Sequence, residues 1–168
     1  MPILLRGIDG IRAYAGFHLG KSGWVEIEQP MIDAFAAATD DRDVLSVDPN
    51  EAARGPYGTT IAQSSLVLAM IPPMLHDIFL LEDVGTSRQC GIDRLQFLAP
   101  VPVNSCIRLD ATLKCARAEL AGLRITLECT VECDRTDVPV LHADIAYQLG
   151  PFARIGLRQL PTTWDLPR

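Results

Sequence analysis

The run from Ser64 to Leu81, SSLVLAMIPPMLHDIFLL, limits the fold more than any other stretch. Leu66, Val67, Leu68, Met70, Ile71, Met74, Leu75, Ile78 and Phe79 leave a helix almost no polar side, so the segment is expected to be buried all round. Pro72 and Pro73 lie inside it. A proline in a helix interior removes a donor and costs about 3 kcal/mol, so the spacing predicts one interrupted central helix, bent at the prolines or restarting with Pro73 in a first turn. Such a helix needs other elements wrapped around it.

The C-terminal half supplies them. Ile107, Leu109, Ala111, Leu113 and Cys115 alternate with Arg108, Asp110, Thr112 and Lys114, and Leu123 to Cys133 repeats the pattern. A last strand is expected over Val138 to Leu149, with turns at Glu119 to Gly122 and Asp134 to Asp137. Clean alternation means one dry face and one wet one, as in antiparallel sheet. After Gly85 the period already falls to two, and the prolines of Pro100-Val101-Pro102-Val103 suit a strand edge or bulge.

Upstream, Ile8 to Phe17 has a weak helical period, with His18 to Ser22 as its exit and Gly20 available for a left-handed cap. Trp24 to Glu28 alternates as a strand should. Pro30 opens a helix with Ile32, Phe35 and Ala36 on one face and an end near Thr39. Val47-Asp48-Pro49 opens a short second helix with Asp48 as its cap. Helices first and a meander after give an α+β chain, a curled antiparallel sheet around a long central helix.

The 168 residues, 48% hydrophobic, suffice for a single domain over 1–168, with an irregular tail over 151–168. The net charge of −6, with 15 scattered Lys and Arg, argues against a nucleic-acid surface. Five cysteines without a C-x-x-C pair, and an opening MPILLRGIDG too short for a signal peptide, read as a reduced, cytoplasmic protein. Cys129 and Cys133 read as core thiols in preference to a metal pair. No apolar run reaches the ~20 residues of a membrane span, so no membrane partner is expected. With no G-x-G-x-x-G after a strand, no phosphate loop and no cluster at metal spacing, neither a metal nor a redox cofactor is expected.

Several fragments, in order, carry a resemblance: Leu19-Gly20-x-Ser22-x-Trp24, Ile32-Asp33-x-Phe35-Ala36, Ala38-Thr39-x-Asp41, Val47-Asp48-Pro49, Gly55-Pro56-Tyr57-Gly58-Thr59-Thr60-Ile61-Ala62 and Phe97-x-x-Pro100-Val101. Over roughly residues 8–150 the chain resembles the MaoC-like dehydratases and (R)-specific enoyl-thioester hydratases, which have the hot-dog fold. The resemblance implies a homodimer whose sheets pair edge to edge, with an acyl-thioester site near the interface. It also implies an Asp and a His five residues later holding a water that adds to an enoyl thioester. A backbone amide at the start of the central helix, in Ile-Ala-His-Gly, polarises the thioester carbonyl; unpaired N–H groups at a helix start suit an enolate oxygen.

Carried over by position, the Asp is Asp41, but Ser46 stands where the His belongs. Gln63 replaces the His of the second motif and Ser64 its Gly, Gln89-Cys90-Gly91 falls where Asn-Tyr-Gly is frequent, and Gln96 where Arg is. A positioned general acid or base contributes about 10²–10⁴-fold, roughly 3–5 kcal/mol, so ordinary hydratase activity is expected to be weak. Among single residues, Asp41 is either a lone base or part of a solvated acidic loop, the reading that also covers Asp40 and Asp43. Ser46 fills space or bonds a substrate, Gln63 holds a carbonyl or hydroxyl, the Ser64 amide keeps the oxyanion role, and Tyr57 is a turn anchor or a pocket wall. His18, His76 and His142 read as structural unless one is displaced into the site.

Three functions fit. The first is hydratase-derived lyase, isomerase or cyclase chemistry on a thioester of coenzyme A or a carrier protein, with Asp41 as base and no cofactor. The others are an active (R)-specific hydratase with a rearranged site, and a catalytically silent acyl-binding or scaffolding dimer.

Overall fold

The computed structural model describes residues 1–120 and 122–150, and long antiparallel strands dominate it. β6 (Ser105–Glu119), β7 (Gly122–Cys133) and β8 (Leu141–Gly150) pair antiparallel in that order. Along β7 the odd positions Leu123 to Cys133 are buried and the even ones half-buried, as alternation requires of a one-sided sheet. β5 (Thr86–Phe97) adds to the free side of β8, while β2 (His18–Lys21) and β3 (Val25–Ile27) both pair with β6. The order is β2-β6-β7-β8-β5, with β5 at one edge and β2 at the other.

The central segment departs from one long helix. It is two short helices, α5 (Ser64–Ala69) and α6 (Ile71–Ile78), joined end to end at Met70. Pro72 and Pro73 have no N–H to give the carbonyls of Leu68 and Ala69, so the hydrogen-bond ladder breaks there. The backbone stays helical at Met70, whose N–H reaches the carbonyls of Leu66 and Val67. The segment also ends sooner than expected. Phe79–Glu82 is a strand, β4, paired in parallel with β1 (Ile3–Arg6) and tied to it by an Arg6–Glu82 ion pair. Leu66, Val67, Ile71, Met74, Leu75 and Ile78 pack with Leu109, Leu113, Leu127 and Ile145 of the sheet in one core, and each such side chain contributes about 1.5–3 kcal/mol on burial.

A second correction concerns residues 18–22. After α1 (Gly7–Ala13) and a turn, His18–Lys21 form β2, and Gly20 (φ +128°) sits at a register shift opposite β6, not in a helix cap. Farther on, α2 (Gln29–Thr39) buries Ile32 and Ala36. Asp48 caps α4 (Pro49–Arg54) by accepting from the amides of Asn50 and Glu51. Between them lies a one-turn helix, α3 (Val44–Val47), which the sequence pattern did not mark. The tail over 151–168 lies outside the described residues.

Candidate active site

Local hydrogen bonding brings distant candidates together. Asp40 closes α2 in the left-handed region (φ +58°), turning the chain so that Asp41 follows on the surface. Asp43 then starts α3, its Oδ1 accepting from the Leu45 amide at 2.8 Å. The Ile61 amide bonds the Leu45 carbonyl at 3.0 Å and the Ala62 amide the Val101 carbonyl at 2.8 Å. The strand-like approach to α5 is thereby clamped between α3 and the loop after β5.

Two clefts open on either side of that approach. One, of about 280 Å³, is lined by Asp41, Asp43, Ser46, Gln63, Ser64 and Ser65 with Leu45, Ile61 and Ala62. The other, of about 270 Å³, is lined mainly by Tyr57, Val67, Phe97, Leu98, Pro100 and Val140. Ile61, Ala62 and Ser64 border both. The candidates Asp41, Ser46, Gln63 and Ser64 therefore share the polar cleft, and Tyr57 stands in the apolar one beside it. Asp41, Ser64 and Tyr57 are exposed, while Ser46 and Gln63 are buried.

Gln63 caps the start of α5 through its backbone, taking the amides of Leu66 and Val67 on its carbonyl. The amides of Ser64 and Ser65 have no partner among the described residues, as expected of a helix start. Ser64 does not adopt a positive φ, so its backbone has no need of glycine. The Gln63 side chain donates from Nε2 to the Ile32 carbonyl at 3.2 Å, and its Oε1 is buried without a donor.

One participant has no sequence signal beyond its place before Pro30. Gln29 donates from Nε2 to the Ser46 carbonyl (2.8 Å) and to Asp33 Oδ1 (2.9 Å), and its Oε1 accepts from the Thr60 hydroxyl (2.5 Å). It joins α2, α3 and the approach to α5 at one point. Phe97, noted above only as part of a resemblance fragment, and Leu98, bland in the sequence, form the exposed apolar rim of the second cleft.

Charge near the polar cleft comes from Asp41 and Asp43, and Asp43 is engaged as a cap. No histidine lines either cleft among the described residues. His18 pairs with Asp110 at 2.7 Å, His142 lies 3.2 Å from the Thr130 hydroxyl, and His76 borders a separate cavity of about 300 Å³ between α6 and the sheet. That cavity also holds Tyr147, whose buried hydroxyl has no partner and is pushed up to about 12 by desolvation. The Cys129 thiol, fully buried, is likewise pushed up to about 12.

Away from the clefts, the outer face of the sheet carries ion pairs. Asp144 takes a two-pronged bond from Arg94 (2.7 Å each) and one from Lys114 (2.8 Å); the Arg94 hydrogen bond is the main reason its carboxyl titrates below the usual range. Glu132 is held low in the same way, chiefly by Lys21 and then Arg108. Glu128, His142 and Asp144 have ligand atoms within 4.8 Å of one another. Asp144 is already neutralised by two cations, which makes the trio a poor cation site.

Comparison with known proteins identifies the family and the fold. The family described as MaoC like domain matches residues 13–122. The 3-hydroxyacyl-thioester dehydratase Z of Mycobacterium tuberculosis is 36% identical over 138 residues, covering 82% of this chain and 91% of that protein. Among solved structures, a monoamine oxidase regulatory protein from Archaeoglobus aligns with a TM-score of 0.72 at 21% identity, over 90% of this chain and 98% of that one. The (R)-hydratase from A. caviae aligns with a TM-score of 0.65 at 19% identity, over 77% and 95% of the two chains. At those identities the structural likenesses speak for the shared hot-dog fold. None of the described helices is long and apolar enough to cross a membrane.

Proposed function

The chain belongs to the MaoC-like dehydratase family, and from that membership we propose that it is an enzyme acting on an acyl or enoyl thioester, with Asp41 as its proton-transfer group. The observation that carries the reading is the pair of adjoining clefts. Asp41, Ser46, Gln63 and the free amides of Ser64 and Ser65 border a polar space, and an apolar space able to take an acyl chain begins at the same residues.

For a 3-hydroxyacyl thioester the chemistry balances with one carboxylate. Asp41 takes a proton from C2, and the charge moves to the thioester oxygen, where the amides at the start of α5 receive it. The Cα=Cβ bond then forms as the C3 hydroxyl departs. The proton held on Asp41 passes to that hydroxyl, so water leaves and the carboxylate is restored. Ser46 and Gln63 orient the hydroxyl without exchanging protons at neutral pH. Because no imidazole shares the work, turnover is expected about 10²–10⁴-fold below that of an Asp/His pair. The same lone base suits a double-bond shift or a ring closure by an internal nucleophile, which need no held water.

Dehydration or hydration proper is favoured among these by the 36% identity to a 3-hydroxyacyl-thioester dehydratase. The working unit is proposed to be a homodimer joined through the edge strand β5, which would cover the exposed Phe97 and Leu98 at its end. The thioester is carried by coenzyme A or a carrier protein, and no metal or redox group takes part. The test is to incubate the protein with enoyl and 3-hydroxyacyl thioesters, follow the enoyl absorbance and identify products by mass. Conversion in either direction, or a rearranged product of equal mass, supports the reading. Binding without conversion would leave a silent acyl-binding dimer instead.

A further inference from the structure

The polar cleft offers acceptors and negative charge with no cation to answer them. Asp41, Asp43, Ser46, Gln63, Ser64 and Ser65 line it, and among the described residues no Lys, Arg or His does. Arg42, next to Asp41 in the chain, is paired with Asp40 at 3.0 Å. Asp43 accepts from the Leu45 amide through Oδ1, which leaves its negative charge in place. Gln63 adds an independent sign. It is only 6% exposed, it donates from Nε2 to the Ile32 carbonyl at 3.2 Å, and its Oε1 has no donor. Turning the amide over would set Oε1 against that carbonyl, so the free end of the side chain is an acceptor.

A buried acceptor without a donor is costly, and a ligand that brings a donor relieves it. The group that answers both the carboxylates and the buried carbonyl oxygen is an ammonium, which has three donors, a positive charge and no acceptor. The missing imidazole points to the same group. Elimination from a 3-hydroxyacyl thioester needs a base at C2 and an acid at the departing oxygen, and here one carboxylate must serve as both. An ammonium at C3 arrives already protonated and leaves as neutral ammonia. For that leaving group the base alone is enough.

We propose that the polar cleft takes 3-aminoacyl thioesters, eliminating ammonia in one direction and adding it to an enoyl thioester in the other, an inference that rests on the thioester reading and changes its leaving group. Asp41 takes the proton from C2. The electron pair of that bond forms the Cα=Cβ bond as the C3–N bond breaks, and the electrons of the C3–N bond stay on nitrogen. The ammonia set free takes the proton from Asp41 and departs as ammonium, which restores the carboxylate. Gln63 Oε1 accepts from the ammonium while it is bound, and Asp43 adds its charge to the attraction.

The experiment gives the full chain the coenzyme A thioesters of 3-aminobutyrate and 3-hydroxybutyrate in parallel, following the enoyl absorbance and, for the first, the ammonia released. The amino thioester should be converted faster by about 10²-fold or more, the advantage of a leaving group that needs no acid. Its kcat/KM should fall as pH rises past the pKa of the substrate amine, a limb that the hydroxy thioester lacks. Gln63→Leu, with folding checked by thermal unfolding, should raise KM for the amino thioester about tenfold through the loss of one charge-assisted contact, with a smaller change in kcat. Conversion of the hydroxy thioester alone, or at an equal or greater rate, would overturn the inference and leave the thioester reading standing. Conversion of neither would overturn both. Amino-thioester turnover without the fall at high pH, or with KM unmoved in folded Gln63→Leu, would overturn the placement of an ammonium in this cleft.

Discussion

Replacing Gln29 by alanine should loosen the candidate site from beneath. The substitution removes the bond to the Ser46 carbonyl at 2.8 Å, the bond to Asp33 at 2.9 Å and the bond received from Thr60 at 2.5 Å. The Asp33 bond is exposed and adds little. The other two weigh more, because Ser46 and Thr60 are 4% and 2% exposed, and a buried group left unsatisfied costs about 1–3 kcal/mol. Allowing for partial relaxation, the loss is about 3 kcal/mol, and at about 2–4 °C per kcal/mol for a chain of this size the melting temperature should fall by about 6–12 °C. Thermal unfolding followed by circular dichroism measures it. Gln29→Glu should be no better than alanine, since it places a carboxylate oxygen against the Ser46 carbonyl and Asp33. A fall of less than about 2 °C in both variants would refute the inference that this side chain locks α2, α3 and the approach to α5 together.

Four other outcomes follow from the same structure. Restoring Ser46→His should raise the hydration rate of an enoyl thioester by about 10²–10⁴-fold, read from the loss of enoyl absorbance, if the new imidazole meets Asp41 in the polar cleft. Stability should be flat near neutral pH and decline as pH falls through and below the ordinary carboxylate range, because Asp144 and Glu132 are held low in the folded chain and lose their cations once protonated. Asp144→Asn should lower the urea midpoint at pH 7 by the equivalent of about 1–3 kcal/mol, reduced by screening of the half-exposed Arg94, and flatten the acid decline. Gly122→Ala should cost about 3–5 kcal/mol, since Gly122 has φ +129° and a β-carbon there would lie 2.1 Å from the Leu149 carbonyl oxygen; thermal unfolding reads it.

The parts of the fold legible in the sequence are those where one physical rule acts alone. β6 and β7 alternate because one face meets the core and the other meets water, and Asp48-Pro49 marks a helix start through its own hydrogen bonds. β5 was hard to read for the opposite reason. It is an edge strand, exposed along most of its length, and two register shifts, one with Arg94 at φ +53°, break its period. β1 and β4 escaped because a short apolar run does not distinguish strand from helix, so Phe79 to Leu81 looked like the end of the central helix. The two helices joined at Met70 follow from Pro72 and Pro73, whose effect was visible though its outcome was left open.

For the candidate site, the family resemblance singled out Asp41, Ser46, Tyr57, Gln63 and Ser64 as candidates, and all five line two adjoining clefts. Gln29 was not legible. Its significance comes from partners 17 and 31 residues away, which periodicity does not contain.

The most direct measurement is turnover of thioester substrate by Asp41→Asn beside the unaltered chain, with folding of both checked by thermal unfolding. A residue exposed at the surface and free of capping duty should tolerate the change with little loss of stability. Turnover should fall by about 10²-fold or more, because the amide cannot take the C2 proton. Turnover equal to that of the unaltered chain would remove Asp41 from the chemistry.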